Sequence, residues 1–501
     1  MRLALISPRL ALQKGDFLGS GVPYWPVELV TLAAFARERG DQISLFDLFG
    51  NNPTQLTDCG DHYLQGQPIT DHLSNAGLKN AEAFILYAIS YMSHQELLTI
   101  VRQLKISFPS IPVAILENSQ AVTAYSLQRM ANAFLEAGAD CLVCGEAYFN
   151  WDAIKQCLST GGKSHCPANV VTRTSSQNPQ RITDKGLHYP IPAWDLVNLE
   201  GYWSLPYAHG PKTKTFLPVL TSRGCPYPCD FCVVPETNDK RWRANSAEAV
   251  VNELLTLRDR FGVHDFQVED LNPTVRHERW EKISELLIAR KANIRFYFVS
   301  GTKAETVHVD KIPLLAKAGC RYISISPESG GRNLMKHIGK KFNYQHGLDV
   351  VAACKKNSIR TQACFLVGHP DETEQDFLES RDYLAQMVRA GLDEAAVFVV
   401  APFAGSRLYA RDAISVSNDS ALPSFSPKGR ANYETLEYHR RTLIRTFFVE
   451  KLKCGFDLWL QGIRAMLGFP QTKMENLPRR IIFVYWLMLK HRFNTRSGVS
   501  P

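Results

Sequence analysis

Apolar residues along the first 155 positions come in two kinds of stretch that take turns. Residues 3–7, 43–47, 83–90, 113–116 and 141–144 are short, nearly continuous apolar runs, expected as buried strands. Between them, 27–39, 95–108 and 122–137 repeat apolar residues every three to four positions, as helices do, and Gly40 stands where a helix C-cap falls. Strands alternating with helices of this length predict a doubly wound parallel sheet. Ligands of such sheets sit beyond the carboxyl ends of the strands.

Residues 156–212 break this rhythm. The part up to 186 is rich in Gly, Ser, Thr, Asn and Pro and is expected as a linker or loose excursion, and 188–207 carries Pro190, Pro192, Trp194 and Trp203. From 213 to 410 the alternation returns, with strands expected at 216–222, 265–269, 295–299, 322–326, 362–367 and 395–400. Helices fall between them at 247–261, 277–290, 311–318 and 343–356. Six successive strand–helix units predict a partial α/β barrel with its site at the carboxyl strand ends. The expected fold is therefore α/β: a doubly wound sheet over 1–155, a bridging segment over 156–212, a partial (β/α)6 barrel over 213–410, and a mostly helical region over 411–501.

The last region changes the picture of charge. The chain of 501 residues carries a net +8, yet 14 Lys and Arg against 5 Asp and Glu lie from Lys428 onward, so the rest is close to neutral. Residues 438–448 form a basic amphipathic helix candidate, and Arg479-Arg480 precede nine apolar residues, 481–489, closed by Lys490-His491-Arg492. Nine residues cannot span a bilayer as a helix. Such a segment can lie on an anionic membrane or cover a pocket for a hydrophobic substrate; the plainer expectation is a helix packed on the barrel with a solvated basic face. No nucleic-acid module supports reading the charge that way. With 45% hydrophobic and 21% charged residues the composition is that of an ordinary globular protein. The start, Met1 to Ser7, is expected to be a strand rather than a signal peptide, and twelve cysteines do not form a disulfide framework in so long a chain. A cytoplasmic location is the expectation, with membrane association left open by the C-terminal region.

Candidate chemistry centres on Arg223-Gly224-Cys225-Pro226-Tyr227-Pro228-Cys229-Asp230-Phe231-Cys232, three cysteines spaced C-x3-C-x2-C on a loop stiffened by two prolines. Three thiolates leave one position of a four-coordinate centre open for chemistry. A partial zinc site is the competing reading, but no second Cys pair or H-x3-H supplies a fourth ligand at the usual spacing. Cys141 and Cys144 end a buried run, and Cys59, Cys157, Cys166, Cys320, Cys354, Cys364 and Cys454 are isolated in sequence; all are expected as buried structural residues.

The cysteine loop resembles that of the radical S-adenosylmethionine (SAM) enzymes. The resemblance implies that Cys225, Cys229 and Cys232 bind a [4Fe-4S] cluster, whose open iron takes the amino and carboxylate groups of SAM. By the same resemblance Phe231 meets the adenine, and the strand-end residues Glu269, Asp270, Ser300, Ser326, Glu328, Gly368 and Pro402 face SAM or substrate. The first domain resembles the cobalamin-binding domain of one large subgroup, on Pro23 to Pro26, Gly40, Asp47 and Gly145-Glu146. Tyr24 and Pro26, with Glu117 and Ser119 of the loop Glu117-Asn118-Ser119-Gln120, are the implied cobalamin contacts. Relatives commonly carry paired glycines at that loop, and no D-x-H-x-x-G motif is present to supply a histidine to cobalt.

The implied activity is methylation of an unactivated carbon of a small or lipid-like substrate, through methylcobalamin and a 5′-deoxyadenosyl radical. A low-potential electron donor such as flavodoxin or ferredoxin is the implied partner. Radical cyclisation or rearrangement without methyl transfer, and an iron–sulfur binding protein without turnover, are the alternatives.

Overall fold

The computed structural model describes residues 1–15, 20–174, 179–181, 189–411 and 432–496. Parts of the expected 156–186 excursion, His188, and 412–431 with Lys428 lie outside the described residues.

The N-terminal sheet runs in the order Gln42–Asp47, Arg2–Ser7, Ala83–Ala88, Val113–Glu117, Cys141–Val143, all parallel. A sixth strand, Val170–Val171, adds antiparallel to its edge from within the segment expected to be a linker. Side chains alternate across a strand, so Ala4, Ile6, Phe84, Leu86 and Ile115 join a core on one face, with helix His94–Ser107. Leu3, Leu5, Ile85, Ala114 and Leu116 join a core on the other, against helix Val27–Glu38. Burial on both faces is what turned these strands into continuous apolar runs.

Three features were not expected. A small antiparallel sheet (Leu10–Gln13, His62–Gln65, Leu56–Asp58) extends the domain. The helix expected over 122–137 is cut back to a 3-10 turn, Leu127–Met130, and a short helix, Ala131–Ala137. The residues before it stay irregular because their backbone bonds elsewhere: Ser126 N–H donates to the Ala404 carbonyl of the barrel, 2.8 Å away. The expected burial of the isolated cysteines also fails in part. Cys157 and Cys166 form a disulfide, Cys59 and Cys454 are exposed, and Cys364 is half-buried; Cys141, Cys144, Cys320 and Cys354 are buried as expected.

The second sheet has six parallel strands in sequence order: Leu217–Val219, Asp265–Val268, Arg295–Thr302, Cys320–Glu328, Arg360–Val367 and Glu394–Val399. Helix Tyr433–Lys453 packs on helix Glu374–Ala390 and along the last strand. Helix Leu477–Arg496 does not pack on the barrel with a basic outer face, as expected. It returns to the N-terminal antiparallel sheet, where Val484 and Leu487 meet Leu12, Leu56 and Tyr63. Arg480, one of its expected solvated cations, is buried and donates to the Ser20 carbonyl.

An aromatic seam joins the two sheets. Trp25 stacks on Tyr202 with centroids 3.9 Å apart and meets Trp194 and Phe216 edge-on. Tyr202 Oη also donates to the Asp47 carboxylate at 2.8 Å. Burial pushes that carboxyl up to about 6, against the bonds it accepts from Gly50, Tyr202 and Phe49. An acid whose folded-state value is raised binds its proton more tightly when folded. The folded state therefore loses stability as pH rises from the unfolded value near 4 through about 6. Asp47→Asn keeps an acceptor without the charge. It is expected to gain up to about 3 kcal/mol at pH 8 and to lose the slope between pH 4 and 6, read by urea unfolding across that range.

Candidate functional site

The cysteine loop is held before it begins. Asp270, fully buried at the end of the second barrel strand, accepts from Thr221 N–H and Oγ1 at 2.6 Å each and from Ser222 Oγ at 2.5 Å. Ser222 and Arg223 then pair antiparallel with Ala244 and Arg243. Gly224 turns the chain with φ +77°; a Cβ there would lie 2.0 Å from the Arg241 carbonyl oxygen, so only glycine fits. Beyond it, Asp230 N–H donates to Ile338 O at 3.0 Å and its carboxylate meets His369 Nε2 at 3.0 Å. Cys229 and Phe231 pack against Leu334, Met335 and Ile338.

All three loop cysteines are free and half-buried. Burial pushes their thiols up, Cys229 to about 11, so each needs a cationic centre to hold it as thiolate. Buried Lys340 stands beside Cys225 and Cys229, its Nζ donating to Glu328 Oε1 and the Ser326 carbonyl at 2.6 Å each. Among the described residues, His277, Glu281 and His308 are the group whose ligand atoms all lie within 4.8 Å of one another. A closed zinc site takes four protein ligands, and this loop offers three free thiols. The donor set suits a multi-iron cluster with one open iron.

The N-terminal domain grips this loop from the other side. Arg223 and Glu28 form a buried pair, Nε to Oε1 3.0 Å, with Tyr148 Oη donating to the second carboxylate oxygen at 3.0 Å and the Tyr189 ring 3.5 Å from the guanidinium carbon. Burial pushes the Glu28 carboxyl up, and Arg223 opposes that push. Gly224 N–H donates to Gln120 Oε1 at 3.0 Å, and Asn238 Nδ2 donates to the Ser119 carbonyl at 2.6 Å. Glu146, a residue of the cobalamin-domain resemblance, pairs with Arg243 and accepts from Tyr189 Oη at 2.5 Å.

Between the carboxyl ends of the two sheets lies a cavity of about 380 Å³. Of the expected contacts, Tyr24, Phe231, Glu269 and Ser300 line it. Burial lifts Tyr24 to about 12, so it faces the cavity as a neutral phenol. Glu269 is held by His209 at 2.6 Å.

The other expected residues are placed elsewhere. Asp270 orients the loop instead of lining the cavity. Glu117 is spent internally, accepting from Leu127 and Gly145 N–H and pairing with Arg181 at 3.2 Å. Ser119 is buried, its hydroxyl accepting from Gln120 at 2.8 Å. Pro26 leads into helix Val27–Glu38 and does not line the cavity, while its neighbours Trp25 and Val27 do. Ser326 and Glu328 sit with Lys340 beside the cysteines. Gly368 is covered by Leu436, and Pro402 lies between the lining residues Ala401 and Phe403.

Sequence reasoning missed the cavity's polar floor. Lys473 Nζ reaches the Val299 carbonyl at 3.1 Å and Gln362 Oε1 at 3.3 Å, and Gln362 Nε2 donates to Glu394 at 2.9 Å. Tyr322 Oη also donates to Glu394. Burial pushes Lys473 down and Glu394 up, each opposing the other's shift. Lys473 arrives from the C-terminal region, and no local pattern marked it.

For a corrin, the wall contributed by the N-terminal domain offers apolar Ile89, Ala121 and Val122, the last 54% exposed, and the buried indole N–H of Trp25, which has no protein partner. That is the character of a site for a flat ring with polar rim groups, and the residues fit one.

Comparison with known proteins agrees with this geometry. The sequence profile of the radical SAM superfamily matches residues 219–384. An uncharacterized methyltransferase of Pyrococcus horikoshii is 26% identical over 274 residues, 54% of this chain and 57% of that protein. Cytidylyl-2-hydroxyethylphosphonate methyltransferase of Streptomyces wedmorensis is 28% identical over 236 residues, covering 44% and 42%. The chain thus spans about half the length of these curated relatives. Among solved structures, the radical SAM methyltransferase TsrM of Kitasatospora setae, with tryptophan and a SAM analogue bound, superposes with TM-score 0.59 at 15% identity, over 81% of this chain and 75% of that one. The cobalamin-dependent SAM radical enzyme OxsB, with aqua-cobalamin and SAM bound, does so with TM-score 0.58 at 16% identity, over 88% and 56%. The fold is shared with both.

Arg223→Met is expected to cost about 3–5 kcal/mol in urea unfolding, because Glu28 is left buried without its cation. Adding Glu28→Gln is expected to restore at least half of that loss, the coupling a double-mutant cycle measures.

Proposed function

From the premise that residues 219–384 form a radical SAM domain, we propose that the chain is a cobalamin-dependent radical SAM enzyme that methylates an unactivated carbon. One observation carries the reading: the carboxyl ends of two parallel sheets face each other across one apolar cavity, with the three-cysteine loop at its edge. Named relatives that are methyltransferases, and solved neighbours that hold cobalamin, a [4Fe-4S] cluster and SAM, support it.

In this reading Cys225, Cys229 and Cys232 hold the cluster. Phe231, Glu269 and Ser300 face SAM, and Tyr24, Trp25, Asn118, Gln120 and Val122 face the corrin. When bound, the cluster and SAM supply a one-electron cleavage of the sulfonium bond, and cobalamin supplies the methyl group. The protein positions these groups and excludes water. Lys340 keeps positive charge beside two of the thiolates, and the His209–Glu269 pair fixes the carboxylate that faces the cavity. Units over 1–155, 156–212, 213–410 and 411–501, a small-molecule substrate, and an external low-potential electron donor belong to the same reading. No helix among the described residues is long and apolar enough to cross a membrane.

Cys225→Ala tests the assignment. The variant is expected to hold well under four irons after anaerobic reconstitution and to release no 5′-deoxyadenosine from SAM under reducing conditions. Unchanged release would remove the cluster from these cysteines. A second readout separates the chemistry: SAM labelled in its methyl group should leave label on carbon of the product, and a product without label would make the enzyme a radical cyclase or mutase.

A further inference from the structure

Large apolar side chains at the C-terminal end of the chain face solvent in ordered stripes. On helix Asp457–Leu467 they are Trp459, Leu460, Ile463, Met466 and Leu467, at the i, i+3/i+4, i+7 spacing of one helix face, 47–78% exposed. On helix Leu477–Arg496 they are Ile482, Tyr485, Trp486, Leu489 and Phe493, again one stripe, 46–69% exposed. Phe456 and Phe469, at 80% and 73%, extend the first. The opposite side of the second helix is spent on Val484 and Leu487, against the N-terminal antiparallel sheet. So the outer stripe of the second helix is not a core side left open; it is a second apolar face. Large exposed apolar patches on monomeric proteins mark surfaces that meet something.

Two observations identify what it meets. Exposed Lys490 and Arg492 stand on the second striped helix, and exposed Arg441, Arg445 and Lys453 on the preceding helix Tyr433–Lys453. Apolar stripes with interfacial Trp and Tyr and basic neighbours match an anionic lipid surface, whereas neither helix is both long and apolar enough to cross one. The second observation is continuity with the cavity. Ile444, Phe448, Met474 and Leu477, from these same C-terminal elements, line it. Phe448 is also 36% exposed, and Leu452 and Phe456 follow at four-residue steps, 52% and 80% exposed, leading toward Trp459.

We propose that the C-terminal helices seat the protein on an anionic membrane, and that its substrate is a membrane-dissolved, largely apolar molecule entering the cavity along Phe448, Leu452 and Phe456. The substrate half of this proposal rests on the methyltransferase reading above, because it fills the same cavity.

Co-sedimentation of the reconstituted full chain with vesicles tests it. The protein is expected to pellet with phosphatidylcholine–phosphatidylglycerol vesicles at least tenfold more than with phosphatidylcholine alone, and high salt should weaken the difference. Trp459→Ser/Met466→Ser/Trp486→Ser is expected to lose that binding tenfold or more, and Lys490→Glu/Arg492→Glu to lose only the anionic preference. Both variants alter exposed residues outside the site, so 5′-deoxyadenosine release should be unchanged, which also shows that they fold. Wild type remaining in the supernatant with both vesicle types overturns the proposal. So does a wild-type dimer that the triple variant converts to monomer without any vesicle binding, since a second copy would then cover the face. Vesicle binding without 5′-deoxyadenosine release would leave the membrane seat standing and remove the enzymatic reading.

Discussion

A buried ion pair between Glu28 and Arg223 ties the two halves of this protein together at the one place where chemistry requires precision. Arg223 immediately precedes the glycine that opens the cysteine loop, and Glu28 lies in the first turn of the first helix of the other domain. Two desolvated charges stabilise little by themselves, but removing either leaves the other stranded. Such a pair is therefore better at fixing register than at adding stability. Gln120 on Gly224 and Ser119 on Asn238 repeat the arrangement a few ångströms away. A pair of glycines in place of Ser119 and Gln120 could not make the side-chain bond to Gly224. The loop is thus a strap between domains, and only Asn118, Gln120 and the residues after them remain to face the cavity.

That strap sets what the cavity can do. Its walls come from both sheets, from the bridging segment through Tyr207 and His209, and from the C-terminal elements through Lys473 and Met474. No one segment could form it alone. The apolar walls exclude water, while the few polar groups are held in place: Glu269 by His209, and Glu394 by Gln362 and Tyr322. Electrostatic effects are strong in such surroundings, which suits chemistry that must keep a reactive species away from solvent.

Much of the architecture was legible in the chain. Strands buried on both faces must be continuous apolar runs, so both parallel sheets stood out, and helix 247–261 forms over the residues expected, capped by Ser246 and ended by Gly262 in the left-handed region. The cysteine loop was legible because its spacing is local. What could not be read depends on distant partners. The Cys157–Cys166 disulfide, the short antiparallel sheet and the loss of helix at 122–126 are each decided by a contact that the local pattern does not encode. Lys473 is the sharpest case: a lysine in a basic region carries no sign that it will be buried against Val299 of a barrel strand far upstream. Glu117 and Ser119 share a loop with the cavity-lining Asn118 and Gln120, but their own groups turn inward to bonds within and between the domains.

The most direct test is the metal content after anaerobic reconstitution with iron, sulfide and hydroxocobalamin, followed by desalting. One cobalt beside about four irons per chain is the predicted result, with the visible spectrum of both chromophores. Four irons without cobalt would contradict it: the Ser119–Gln120 strap would then have closed the corrin site, and methyl transfer through cobalamin would no longer describe this protein.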